Sequence, residues 1–87
     1  MNTKGISNRS VNLQKYFEIH EQKTGESRQF LSAKFGWSPS FFGKLLSGEK
    51  NLSDENLIRI ANYFDIPPIY IDKEFVQQVR GLFPIYT

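Results

Sequence analysis

The stretch from Arg28 to Ser47 constrains this chain more than any other. Two short segments, each with an apolar stripe at helical spacing, meet there at Gly36. A tight corner between two helices makes geometric demands. The first residue of a three-residue turn needs a positive φ, which glycine supplies without strain. A small residue must lie four positions earlier, where the second helix crosses closely, and Ser32 is there. Apolar residues must follow six and nine positions after the glycine, and these are Phe42 and Leu45. Leu31 must also turn inward. Every position complies.

At 87 residues the chain has room for one domain with a small core. Its charged share of 23% and hydrophobic share of 39% are those of a globular rather than a disordered chain. Cysteine is absent, which excludes a disulfide framework, cysteine-bound zinc and a thiol nucleophile. The single histidine, His20, excludes a multi-histidine metal site and has no serine–acid partners at readable spacing. Glycine-rich phosphate loops, paired carboxylates and nucleophile motifs are all missing, so the reading is not an enzyme. No cofactor, metal or small-molecule ligand is expected. No apolar run approaches the roughly 18 residues of a membrane span. The polar start, Met1 to Ser10, lacks the apolar stretch of a signal peptide. These features read as a soluble, cytoplasmic protein.

The net charge of +2 is unevenly spread. Residues 1–50 carry eight Lys or Arg against four acids; residues 51–87 carry three against five. A basic half suits a polyanion, and a mildly acidic half suits something else.

Five helices and no strand are predicted. Residues 1–9 read as a mobile arm, with residues 10–87 as the folded unit. Ser10 caps a first helix from about Val11, with Leu13, Tyr16, Phe17 and His20 on one face. Thr24-Gly25 ends it. Ser27 caps the second, with Phe30, Leu31 and Phe35 inward. Ser38-Pro39 reads as N-cap and N1 of the third, with Trp37 and Phe42 as a hydrophobic staple. Ser53 caps the fourth, whose inner face is Leu57, Ile60, Ala61 and Phe64, and Ile66-Pro67-Pro68 stops it. Asp72 caps a last helix, about 73–83.

The corner at Gly36 has the spacing of a helix-turn-helix, whose second helix enters the DNA major groove. The run Ser27-Arg28-Gln29-Phe30-Leu31-Ser32-Ala33-Lys34-Phe35-Gly36-Trp37-Ser38-Pro39-Ser40 carries more than spacing. So do Leu45-Leu46-Ser47-Gly48-Glu49-Lys50-Asn51-Leu52-Ser53 and Asn56-Leu57, Ile60-Ala61 and Phe64-Asp65-Ile66. Together they resemble the Cro and lambda-repressor class of phage-type regulators, the xenobiotic-response-element helix-turn-helix family. The likeness to lambda-repressor-type N-terminal domains runs from about Leu13 into the last helix. It implies a compact all-α, five-helix, lambda-repressor-like domain.

The resemblance also implies roles. Ser38, Pro39, Ser40, Phe41 and Lys44 would face base edges. Arg28, Gln29, Ser47, Lys50, Asn51 and Ser53 would hold phosphates. The first position of helix 2 usually holds a glutamine that braces its neighbour in helix 3; here Arg28 and Pro39 stand in those places. Pro39 offers no side-chain donor or acceptor, so the family's glutamine–adenine contact is absent. Chemistry alone supports part of this assignment. Ser40 can bond a base or a phosphate, and Lys44, one turn on, can reach a guanine edge. Phe41 has two readings: contact with a thymine methyl, or packing back on Trp37. Lys4 and Arg9 in the arm can wrap into a groove.

Phe75, Val76, Val79, Leu82 and Phe83 make the last helix apolar. By resemblance, Phe75, Val79, Leu82 and Phe83 would form the seam of a homodimer. The leading reading is therefore a DNA-binding transcriptional regulator, a phage or prophage-type repressor on a palindromic operator in a bacterial cell. The alternatives are an antitoxin-like protein-interaction module, or the N-terminal part of a longer repressor with Pro84 opening a linker.

Overall fold

A computed structural model describes residues 7–75. Among them are four α-helices: α1 (Asn8–Thr24), α2 (Arg28–Lys34), α3 (Phe41–Ser47) and α4 (Asp54–Phe64). A 3-10 helix, Pro68–Tyr70, follows. The described residues contain no strand. The expected count of five helices is not met. After Pro67 the chain makes a 3-10 turn, and the predicted helix at 73–83 lies outside the described residues beyond Phe75. Asp72 Oδ1 accepts from the Glu74 N–H at 3.0 Å, closing an Asx turn.

The ends of the helices follow their side chains. Ser27 Oγ accepts from Phe30 N and Ser53 Oγ from Asn56 N, as expected of N-caps. Helix α1 starts before the predicted Val11, because Ser7 rather than Ser10 caps it. Ser10 has other work. It is buried, and its hydroxyl donates to the Leu45 carbonyl at 2.8 Å, tying α1 to α3.

Helix α2 ends in a Schellman turn. Trp37 N–H reaches back to Ser32 O at 2.8 Å and Gly36 N–H to Ala33 O at 3.0 Å. Gly36 sits at φ 82°, the left-handed region that the corner requires. Helix α3 begins later than the Ser38 cap implied. Phe41 N–H bonds Ser38 O in a four-residue turn, and Ser40 makes no side-chain cap. The cap comes instead from across the corner. Ser32 Oγ, fully buried, accepts from the Phe42 N–H at 2.9 Å.

One core joins the helices. It takes Leu13 and Phe17 from α1, Leu31 from α2, Phe42, Leu45 and Leu46 from α3, and Leu57, Ile60 and Ala61 from α4. Leu52, Ile71 and Phe75 close it. Phe30, predicted inward, is 48% exposed, since α2 turns Leu31 and Ser32 to the core instead. Tyr16, His20 and Phe64 are half-buried at its edge.

Two long-range polar contacts hold the ends of the fold. Arg9 spans three segments: Nε to Asp72 Oδ2 at 2.7 Å, Nη1 to Leu52 O at 2.7 Å and Nη2 to Asp54 Oδ1 at 2.8 Å. Burial pulls its pKa down, but the hydrogen bonds and charges of Asp72 and Asp54 outweigh that and raise it. Asn12 Nδ2 donates to Ile71 O at 2.9 Å, fixing the chain that follows the 3-10 helix.

The Ser32 bond is testable. Ser32→Ala barely changes volume, yet it strips a buried N–H of its acceptor, a loss of about 1–3 kcal/mol. Urea unfolding of the variant will show a lower midpoint with an unchanged slope. A midpoint equal to wild type would mean that Ser32 is present only for its size.

Candidate nucleic-acid interface

Helix α3 sorts its residues by angle. Phe42, Leu45 and Leu46 point into the core. Ser40, Lys44 and Ser47 lie four and three residues apart on the opposite side. Ser40 and Ser47 are exposed and Lys44 is half-buried at its base. Ser38 and Pro39 are exposed in the turn just before the helix. These residues form one outward face, and it carries three hydroxyls and an ammonium.

Two flanks border that face. On one side Phe41 packs edge-on against Trp37, ring centroids 4.9 Å apart. Of its two readings the structure places it in the inward one, because Trp37 is itself stacked on Phe35 at 5.0 Å. On the other side is Gly43. A Cβ built there would meet only Arg28 Cδ, at 3.9 Å. The Arg28 stem therefore lies across α3 at the one helical position without a side chain.

The other expected phosphate contacts are placed as follows. Gln29 is exposed at the start of α2, and Lys50 and Asn51 are exposed in the link after α3. That link is folded, not loose. Gly48 takes φ 86°, and Lys50 N–H bonds Lys44 O at 3.1 Å. Ser47 Oγ is engaged within it, donating to Lys44 O and accepting from Glu49 N. Ser53 Oγ is occupied as the α4 cap. Arg9 stands in α1, its guanidinium held by Asp54 and Asp72, so it is not a groove-wrapping arm residue. The physical reason is that its two acids and the Leu52 carbonyl satisfy the fork. Lys4 lies outside the described residues. Phe75, expected at a dimer seam, is 3% exposed in the core beneath Arg9. Val79, Leu82 and Phe83 lie outside the described residues.

Sequence reasoning missed the braces behind this face. Arg59 of α4 donates from Nη2 to Phe35 O at 2.9 Å, and its guanidinium covers the rings of Phe35 and Trp37 at 5.2 and 5.5 Å. Tyr63 meets Phe35 edge-on at 5.6 Å. A row of rings thus runs from α4 through the corner to the first residue of α3. The only hint in the sequence was Arg59 and Tyr63 recurring four apart on α4.

A second missed group sits at the far end of that row. Glu26 Oε1 receives Tyr63 OH at 2.8 Å and pairs with His20 Nε2 at 2.7 Å. His20 in turn stacks on Phe64 with ring centroids 4.5 Å apart. The hydrogen bond to His20, then that of Tyr63, holds the Glu26 carboxyl below its ordinary pKa. The same contact raises Tyr63. This is a clasp between α1, the link before α2 and α4, not a catalytic arrangement. Among the described residues, no group of three or more His, Cys, Asp or Glu could hold a metal ion. No helix among them is long and apolar enough to cross a membrane.

Two outcomes are expected from these braces. Gly43→Ala removes a helix-interior glycine where a Cβ makes only ordinary contact, so stability will rise by about 0.5–1 kcal/mol in a thermal melt. The Glu26 contribution has a defined pH sense. A depressed carboxyl stabilises above its unfolded pKa, about 4.3, and that support is lost as pH falls through the folded value. Glu26→Gln will therefore melt earlier than wild type at pH 7, and the gap will close toward pH 3. A gap independent of pH would show that the clasp is steric.

A family model described as Helix-turn-helix matches residues 22–71, well over half of the 87 residues. It spans the end of α1, both helices of the corner, α4 and the 3-10 helix. No curated protein and no solved structure matches the chain.

Proposed function

The chain belongs to the Cro/C1-type helix-turn-helix family, and we propose on that basis that it represses transcription by occupying a palindromic DNA operator as a homodimer. The carrying observation is the outward face of α3. Ser38, Ser40 and Lys44 stand clear of the core at the crossing of two helices, with Arg28, Gln29, Lys50 and Asn51 exposed on either side of it. Base edges meet the serines and the lysine. Phosphates meet the flanking cations and amides, which supply affinity without sequence information.

Charge supports the same division. Arg9 is tied to an acid pair, and the exposed Arg59 is held by the Phe35 carbonyl and the Phe35 and Trp37 rings, so neither serves the duplex. Arg28, Lys44 and Lys50 are left for it. Val79, Leu82 and Phe83 form the proposed seam between two copies, with Phe75 anchoring the segment from within the core. Half-sites would then lie about one helical turn, ~34 Å, apart. The protein works in the bacterial cytoplasm, on phage or prophage DNA.

Selection of bound duplexes from a random library tests this. An inverted repeat with centres about one turn apart is the expected product. With some five phosphate contacts, the log–log salt slope will fall near −4 to −5. Lys44→Ala and Ser40→Ala will each cost roughly 1–3 kcal/mol on the selected site, while Lys50→Ala will weaken all duplexes alike. Failure to enrich any duplex at low salt would overturn the DNA reading. It would favour the protein-interaction module, whose exposed apolar residues include Val11, Ile19, Phe30, Ile69 and Tyr70.

A further inference from the structure

The reading face of α3 is poor in side chains that discriminate bases. Pro39 has no donor or acceptor, Phe41 is committed to Trp37, and Gly43 has no side chain at all. Two serines and one lysine remain, none with a two-pronged donor. The neighbouring helix supplies the missing fork. Arg28 is the first residue of α2, exposed, with its Cδ 3.9 Å from the place a Gly43 Cβ would occupy. Its stem thus crosses α3 on the Gly43 flank, one residue before Lys44 and three after Ser40. Among the described residues, Arg9 and His20 hold the ion pairs and Arg28 holds none.

We propose that Arg28, reaching over Gly43, reads a guanine in the major groove through both arms of its guanidinium. This assigns base specificity to α2, where a phosphate contact would be expected. It is compatible with Gly43: a Cβ there would make only ordinary contact with Arg28 Cδ, at 3.9 Å, whereas a longer side chain would compete with the arginine stem for that flank. The chemistry is specific. A guanidinium presents two parallel N–H groups that match the O6 and N7 acceptors of guanine, whereas an ammonium is a single point charge.

The inference rests on the duplex-binding reading above, and its test separates the two. Wild type, Arg28→Lys and Arg28→Gln are each used to select duplexes from one random library. Arg28 is exposed, and circular dichroism and thermal melting serve as the control that each variant folds. Wild type will enrich a guanine in each half-site. Arg28→Lys keeps the charge but will lose preference for that guanine by about ten- to a hundredfold, and the other positions will stay. Arg28→Gln will shift the preferred base at that position. The proposal is overturned if both variants select the wild-type site unchanged. In that case Arg28→Gln would bind all sequences more weakly with a salt slope about one unit shallower, the signature of a phosphate contact. A wild-type library with no enrichment would overturn the duplex reading itself, and this assignment with it.

Discussion

The bond from Phe42 N–H to Ser32 Oγ is the contact on which the corner between α2 and α3 depends. A helix leaves its first N–H groups without partners, and a buried one must find an acceptor. Helix α3 is seven residues long and has no local side-chain cap. Its acceptor comes from α2, ten residues back. One hydrogen bond therefore caps α3 and sets its distance from its neighbour. The same residue supplies its backbone carbonyl to Trp37, closing the turn at Gly36. Ser32 thus meets the corner's three needs of small size, a side-chain acceptor and a main-chain acceptor.

Short helices gain little from their own propensity. The corner is held from outside by packing and by contacts to chain ends. Helix α4 presses Arg59 and Tyr63 onto Phe35 and Trp37, and Trp37 meets Phe41. Helix α1 reaches α3 through Ser10 and the two ends of α4's segment through Arg9 and Asn12. In so small a domain these polar links fix which faces meet. They also decide which cations are spent on the fold. Among the described residues, Arg9 and Arg59 are engaged in this way.

Much of this was legible in the sequence, for local reasons. Ser27 and Ser53 cap where they should, because an N-cap is set by the two or three residues after it. Gly36 and its partners at fixed spacing gave the corner, because its geometry allows few residue types. Non-local demands produced the misses. Ser10 looks like a cap, but Leu45 takes its hydroxyl. Ser38-Pro39 looks like a helix start, but Ser32 caps from across the turn, and the helix begins at Phe41. Arg9 looks like an arm residue until Asp54 and Asp72, over forty residues away, are brought beside it. Phe30 looks inward from its period, but seven residues make too short a stripe to fix the phase. The Pro67-Pro68 stop was legible, while the 3-10 turn that follows it was not.

The central claim is that the outward face of α3, with its flanks from α2 and the link after α3, is where a duplex sits. Amide chemical shifts of the labelled chain, titrated at low salt with a mixed-sequence duplex, test it most directly. The account predicts that the largest changes fall on residues 28–29, 38–44 and 50–53. Phe42 should move through its bond to Ser32. Changes confined to Tyr16, Ile19, Ile69 and Tyr70, on the opposite part of the chain, would contradict it.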